Sequence, residues 1–395
     1  SLHIIRDGQI IDKFASARMT HLQREEEMDD LIYSGRQTLN IILDDVRVGD
    51  TLEYSYSIEG MNPVYQGLFA YHAYLGWSVP VGRVSERILW NKTSTLRYQI
   101  RNSDAAVVHT NTATGSEYRV LIDNPPPQRI DEDTPDGFDP CGRIQFSELD
   151  SWGNVARWSE QLYQNVAIRD AAIDDLIADI ETNNDSLEQK ISAALRFTQD
   201  EIRYLGIELG ENSHKPTSAP DTLRQRYGDC KDKTVLLLTL LRALDVEAYP
   251  ALVNTKQNLA DTLPNSQAFD HVITLMIHQG KRYWLDPTRS FQHGDIDRIH
   301  QPDYGHALVL DSETQDLTAM RPQHNHYGVF VTDRFVIPEQ GPVQFSTETV
   351  NHGWNAERQR YQMASKGLNQ LQQDYLGFLQ GYYPGARVQS PMEYR

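Results

Sequence analysis

The sequence predicts an α+β protein. Three observations carry that reading: short alternating strands through the first third, helix-spaced apolar residues from Ser151 onward, and a hairpin pattern late in the same central stretch. A chain of 395 residues exceeds what one hydrophobic core usually serves, so two or three domains are expected. The divisions are placed at 1–145, 146–320 and 321–395.

In the first stretch the clearest strand is 51–58, where Leu52, Tyr54, Tyr56 and Ile58 alternate with polar residues after the turn-like Val48-Gly49-Asp50. Further strands are expected over 38–43, 84–90, 95–101 and 117–122, and together they suggest an antiparallel β-sandwich. Tyr65, Tyr71 and Tyr74 fit core or edge packing better than a binding face. Residues 123–150 read as a linker, marked by Pro125-Pro126-Pro127 and the acidic run 131–136.

From Ser151 the pattern turns helical, with Trp152, Val155, Trp158 and Leu162 on one face. A second helix starts at Ser186, where Ser186 and Gln189 have the spacing of a capping box; its apolar face is Leu187, Ile191, Leu195, Thr198 and Ile202. Gly228 then gives a turn, Asp229 an N-cap, and Cys230 falls in the first turn of a third helix. The apolar residues of Val235–Leu244 go nearly all the way round, so this helix should be buried. A strand over 246–253 and a polar loop over 254–268 follow. Residues 269–277 and 281–285 flank Gln279-Gly280, which reads as a hairpin turn. The last stretch offers strands near 329–338 and 344–350 and one helix over 356–381.

Composition narrows the function. With 37 basic against 55 acidic residues the net charge is −18, which argues against nucleic acid or an anionic membrane as the main partner. No apolar run approaches the roughly 20 residues that span a bilayer. There is no Gly-rich phosphate loop, basic cluster or internal repeat. The chain starts at Ser1 without a signal peptide, yet inside a domain, which is compatible with a processed or trimmed N-terminus. Cys141 and Cys230 are the two cysteines, too few for a four-thiolate zinc site or a disulfide framework. A single disulfide between them is the plain alternative, and it would consume the thiol. Among the 13 histidines, His278, His293, His306, His324 and His326 show no His-Glu-x-x-His or other ligand spacing, so neither a metal nor another cofactor is expected.

One cysteine has a physical reason to be reactive. At a helix N-terminus Cys230 meets unpaired N–H groups and the positive end of the dipole, both of which favour thiolate. If Gln279 and Gly280 are the central turn residues, Ile273 faces Asp286 and His271 faces Thr288. His271 and Asp286 are then diagonal neighbours on one face of the ribbon, within side-chain reach. An imidazole oriented by a carboxylate is what a cysteine hydrolase or acyltransferase needs.

Gly228-Asp229-Cys230, the helix through Leu241-Arg242-Ala243-Leu244, Asp270-His271 and Trp284-Leu285-Asp286-Pro287-Thr288 arrive in order with fitting spacings. Over about 150–310 they resemble the bacterial transglutaminase-like superfamily. The resemblance implies a papain-like core and a Cys-His-Asp triad, with Cys230 as nucleophile, His271 as general base and acid, and Asp286 as its orienter. The segment 43–54 resembles the uncharacterised β-sandwich domain that often precedes this core in bacterial envelope proteins. That implies a periplasmic or exported setting and a possible cell-envelope partner. Two features depart from many members: Lys231, Asp232 and Lys233 stand where small residues are common, and Val272 follows the histidine where an aromatic often sits. The Cys230 N–H is the default oxyanion donor, with Tyr204 or Gln199 as candidates for a second.

The implied chemistry is attack of Cys230 on a carboxamide or peptide carbonyl, giving a thioester that water or an amine resolves. The activity would be that of a transglutaminase, an amidase or a cysteine peptidase. A protein, a peptide or a peptidoglycan stem peptide each offers the required amide. The alternative is a catalytically silent binding or scaffold protein on the same fold, which the flanking regions without chemistry of their own keep open.

Overall fold

The computed structural model describes every residue except 26, 27, 29, 30, 130–132, 135–137 and 323–327. Most of the acidic run 131–136 and the pair His324 and His326 lie outside the described residues.

Two three-stranded antiparallel sheets form the main N-terminal unit. One orders Val108–Thr112, Gly115–Asp123 and Arg83–Trp90; the other orders Ala70–Tyr74, Arg143–Ser147 and Arg97–Arg101. Val84, Trp90, Tyr118 and Val120 from the first share a core with Ile144 and Phe146 from the second and with Leu75 and Leu96, which flank its strands. The expected sandwich is therefore present, with one strand drawn from the stretch read as a linker. Arg143–Ser147 is the central strand of its sheet and buried throughout. Its alternation explains why: Ile144 and Phe146 enter the sandwich core, while the polar residues between them bond to the next domain. Ser147 Oγ donates to the Pro264 carbonyl at 2.6 Å, the Gln145 amide oxygen accepts from Leu263 N–H at 3.3 Å, and Arg143 reaches Gln257.

The first 60 residues pair mainly among themselves, as Gln9–Asp12, Leu2–Arg6 and Thr51–Tyr54 in one sheet and Arg18–Leu22 with Thr38–Ile42 in another, while Ile32–Tyr33 pairs in parallel with Gly206–Ile207 of the central domain. The strand expected over 51–58 ends at Tyr54, and Leu52, Tyr54, Tyr56 and Ile58 are all exposed. It occupies a sheet edge, so the alternation that marks one buried face finds no layer to cover it. Tyr65 packs on Trp158 as expected of a packing residue, whereas Tyr71 and Tyr74 are exposed.

The central domain has five helices: α1 (Trp152–Leu162), α2 (Ala171–Asn183), α3 (Leu187–Arg196), α4 (Ala219–Gln225) and α5 (Cys230–Ala243). The sequence reading lacks α2, although Asp170 caps it and Ile173, Ile177 and Ile180 bury one face at helical spacing. The Ser186–Gln189 capping box of α3 is present. Ile191, Leu195, Thr198 and Ile202 are buried, but Leu187, in the first turn, is exposed. Helix α3 runs into a π-helical turn, Phe197–Glu201, before the chain extends.

Helix α5 packs against a five-stranded antiparallel sheet ordered Lys281–Leu285, His271–His278, Glu247–Val253, His306–Val309 and Thr318–Ala319. Leu236, Leu237, Leu240 and Leu241 of α5 share one core with Met276, Tyr283 and Leu285 of the sheet. Every residue of α5 from Cys230 to Leu241 is buried, as an all-round apolar helix requires.

The C-terminal segment is an antiparallel ribbon, Gly328–Val336 with Gln344–His352, followed by two helices. The single helix expected over 356–381 is broken into α6 (Trp354–Lys366) and α7 (Leu368–Tyr382). Gly367 sits between them at φ 76°, a left-handed conformation that ends α6.

Candidate active site

The position of Cys230 follows from local capping. Asp229 Oδ1 accepts the N–H groups of Lys231 at 2.9 Å and Asp232 at 3.4 Å, and Asp232 Oδ2 accepts the Asp229 N–H at 3.2 Å. This reciprocal box starts α5 at Cys230. Gly228 is needed for it: a Cβ there would stand 2.6 Å from Asp232 Cβ. Gly228→Ala is therefore expected to displace Asp232, open the cap and destabilise the protein by about 1–2 kcal/mol. Thermal unfolding checks this, and an unchanged midpoint would contradict the assigned role.

The charged turn after Cys230 is buried and paired. Lys231 Nζ donates to Asp229 Oδ2 at 2.6 Å and stands 3.5 Å from Glu208 Oε1. Asp232 Oδ1 accepts the Thr217 N–H at 2.7 Å, and burial beside Asp229 raises its carboxyl to about 6. Lys233 is 1% exposed and donates to the carbonyls of Gln199 at 3.1 Å and Ile202 at 2.5 Å. Burial brings its ammonium down to about 8, against the pull of Asp286 and Asp200.

The hairpin supplies the partners. Thr274 pairs with Leu285 and Leu275 with Trp284, and Gln279 and Gly280 both take positive φ in a two-residue turn, the register that sets His271 and Asp286 on one face. Asp286 follows the last paired residue, and its Oδ2 lies 3.0 Å from His271 Nε2. Its Oδ1 accepts from Thr288 twice, the N–H at 2.9 Å and the hydroxyl at 2.7 Å. Cys230 packs in one buried cluster with Val272, the neighbour of His271, and its sulfur acts on the ring; with Nε2 engaged by Asp286, Nδ1 is the nitrogen left for sulfur. Cys230, His271 and Asp286 are thus brought together as expected, and both cysteines are free thiols.

Electrostatics favour a charged imidazole. Burial opposes the charge on His271, but the Asp286 carboxylate, its hydrogen bond and Cys230 outweigh it and hold the ring well above the ordinary histidine range. Burial likewise opposes ionisation of Asp286; His271 and the Thr288 bonds override it and bring the carboxyl down to about 2. Tyr304 stands edge-on to the His271 ring at 6.3 Å between centroids, an aromatic neighbour supplied from elsewhere than position 272.

The two oxyanion candidates separate. Tyr204 lies in the apolar cluster around Cys230; burial, with the nearby charges of Cys230 and Asp229, pushes its phenol up, so it keeps a proton to donate. Gln199 is corrected. Its Nε2 gives one hydrogen to the Asp286 carbonyl at 2.9 Å and the other to Gln292 Oε1 at 2.8 Å, which leaves none for a reacting oxygen.

Thr288, Lys233 and Tyr304 were given no role from sequence. Thr288 had a signal, because Asp-Pro-Thr is a spacing at which an aspartate accepts from the residue two on. Lys233 and Tyr304 carried none that separates them from surface residues. Among the described residues no group of three or more His, Cys, Asp or Glu side chains is placed to hold a metal ion.

Residues 174–287 match the transglutaminase-like superfamily, and residues 1–129 match DUF3857, a domain of unknown function with a solved structure. The centre of this chain is a transglutaminase-like core. Cys230, His271 and Asp286 all fall within the matched segment of that core. A crystal structure described as a "putative protease" from Parabacteroides distasonis shares the fold with a TM-score of 0.59 at 12% identity. The alignment takes in 80% of this chain and 60% of that one, so this chain spans well under the length of that protein. A structure described as a "putative cysteine protease" from Cytophaga hutchinsonii also matches at 12% identity, over 73% of this chain and 97% of that one, with a TM-score of 0.28. No curated protein matches the chain.

Proposed function

We propose that Cys230, His271 and Asp286 are a catalytic triad for acyl transfer or hydrolysis at a carboxamide or peptide bond. The observation that carries this is the His271–Asp286 bond at 3.0 Å on a ring that stands beside Cys230 at the start of α5. The thiol proton passes to His271, and the sulfur attacks the substrate carbonyl to form a tetrahedral oxyanion. The Cys230 N–H, ahead of the first intrahelical bond of α5, is one donor to that oxygen, and the Tyr204 hydroxyl is the second. Collapse breaks the C–N bond while His271 returns its proton to the leaving amine, leaving a Cys230 thioester. Water, deprotonated by His271, releases an acid; an amine in its place gives transamidation. We place the substrate among proteins, peptides and peptidoglycan stem peptides in a periplasmic or exported setting, with a cell-envelope partner possible, a reading that rests on the family resemblance.

Iodoacetamide labelling of Cys230 against pH, in wild type and His271→Ala, tests the pair. A histidine held well above its ordinary pKa stays cationic through neutral pH, so it should sustain alkylation of the sulfur beside it into acid. At about pH 6 the variant, which lacks that cation, is expected to label about tenfold more slowly. Equal, ordinary-thiol profiles in both proteins would sink the triad and favour a binding or scaffold role.

A further inference from the structure

Helix α6 has one buried residue, and it is a carboxylate: Glu357, 6% exposed. Apolar side chains of the same segment, among them Trp354 and Tyr361, remain exposed. A helix that buries its acid and leaves its aromatics out is placed by polar contacts. Glu357 Oε1 accepts from Gln292 Nε2 at 3.0 Å and from the His300 N–H at 3.2 Å, and Oε2 pairs with Arg289 at 3.2 Å. Arg360, one turn on, donates to the Phe291 carbonyl at 2.6 Å.

The chain of bonds continues inward. Gln292 Oε1 accepts from Gln199, whose amide also donates to the Asp286 carbonyl. Gln199's own carbonyl accepts from Lys233, on the helix that carries Cys230. Glu357, Gln292, Gln199 and Lys233 are all buried, so each bond is unscreened and none is readily replaced by water. The Gln199 side-chain oxygen is buried without a partner, so the amide is held there by what it donates.

We infer that Glu357 is a positioning residue for the triad: through Gln292 and Gln199 the C-terminal helix holds the backbone of Asp286 where its carboxylate meets His271. The inference rests on the triad reading and adds a role for the segment beyond residue 320. It also means that a change at α6 alters the His271–Asp286 bond without touching either residue. The charged and titratable groups that reach Asp286 are His271, Lys233, Tyr204 and Tyr304. Those that reach Cys230 are His271, Lys231, Tyr163 and Tyr204. None of them is altered by substitution at Glu357 or Gln292.

The test is the ratio of iodoacetamide labelling rates of Cys230 at about pH 6 and about pH 9, read by mass on the whole chain. Glu357→Ala is expected to lower that ratio about fivefold, while Glu357→Gln, which keeps an oxygen for Gln292, recovers part of it. Lys366→Ala, which breaks the exposed pair with Asp374 on α7, should leave the ratio unchanged. The fall is expected in the rate at about pH 6 with the rate at about pH 9 unchanged, whereas a change that merely loosened the fold would raise labelling at about pH 9. If Glu357→Ala fails to fold, Gln292→Met decides, since it keeps the side-chain length and removes both amide links. A wild-type ratio in the folded variant overturns the inference while the triad stands. An ordinary-thiol profile in wild type overturns the triad and the inference with it.

Discussion

Cys230→Ala is expected to abolish turnover, with a loss on the order of 10^6-fold, the scale seen when a triad nucleophile is removed. The substitution deletes only Sγ. The start of α5 is set by Asp229 and Asp232 and its burial by the leucines that follow, so the fold should persist. Peptide release from an unfolded protein substrate, and incorporation of a fluorescent amine into the same substrate, read the two fates of a thioester. Both should vanish together in the variant while its circular dichroism matches wild type. Activity at a tenth of wild type or more would mean that the chemistry lies elsewhere.

The second large effect is on stability. Leu237 is fully buried in the middle of α5, within the core that joins this helix to the sheet carrying His271. Leu237→Ala should cost about 2–5 kcal/mol, the transfer free energy of the lost atoms plus that of the cavity they leave. Because Cys230 begins the same helix and is only 7% exposed, its labelling rate in rising urea reports the opening of this core. The midpoint of that transition should fall well below wild type. A shift worth under about 1 kcal/mol would mean that neighbouring side chains collapse into the space.

How much of the site was legible depended on how local its causes are. Asp229 as cap and Cys230 as the first helical residue follow from neighbours within one turn, and both are found where expected. The His271–Asp286 pairing needed one further fact, the two-residue turn at Gln279-Gly280, because that count decides which face each side chain takes. The strand Arg143–Ser147 was missed for the opposite reason. Its polar residues answer partners more than a hundred positions away, so local composition reads as loop. Gln199 lies against Asp286 as its place before Tyr204 suggests, but the atoms its amide meets come from distant segments and leave no mark on local sequence.

By itself the sequence determined the α+β class, the buried helix that presents Cys230, and a hairpin that brings His271 within reach of Asp286. These rest on periodicity, capping and turn geometry, which act over a few residues and leave their mark on residue order. Only the tertiary structure decided that Lys231, Asp232 and Lys233 are buried and paired, that Tyr304 stands against His271, and that bonds through Gln292 and Gln199 link Glu357 on α6 to Asp286. Those contacts join segments distant in the chain. A charged residue carries no sign in its own neighbourhood of whether it will meet water or a buried partner.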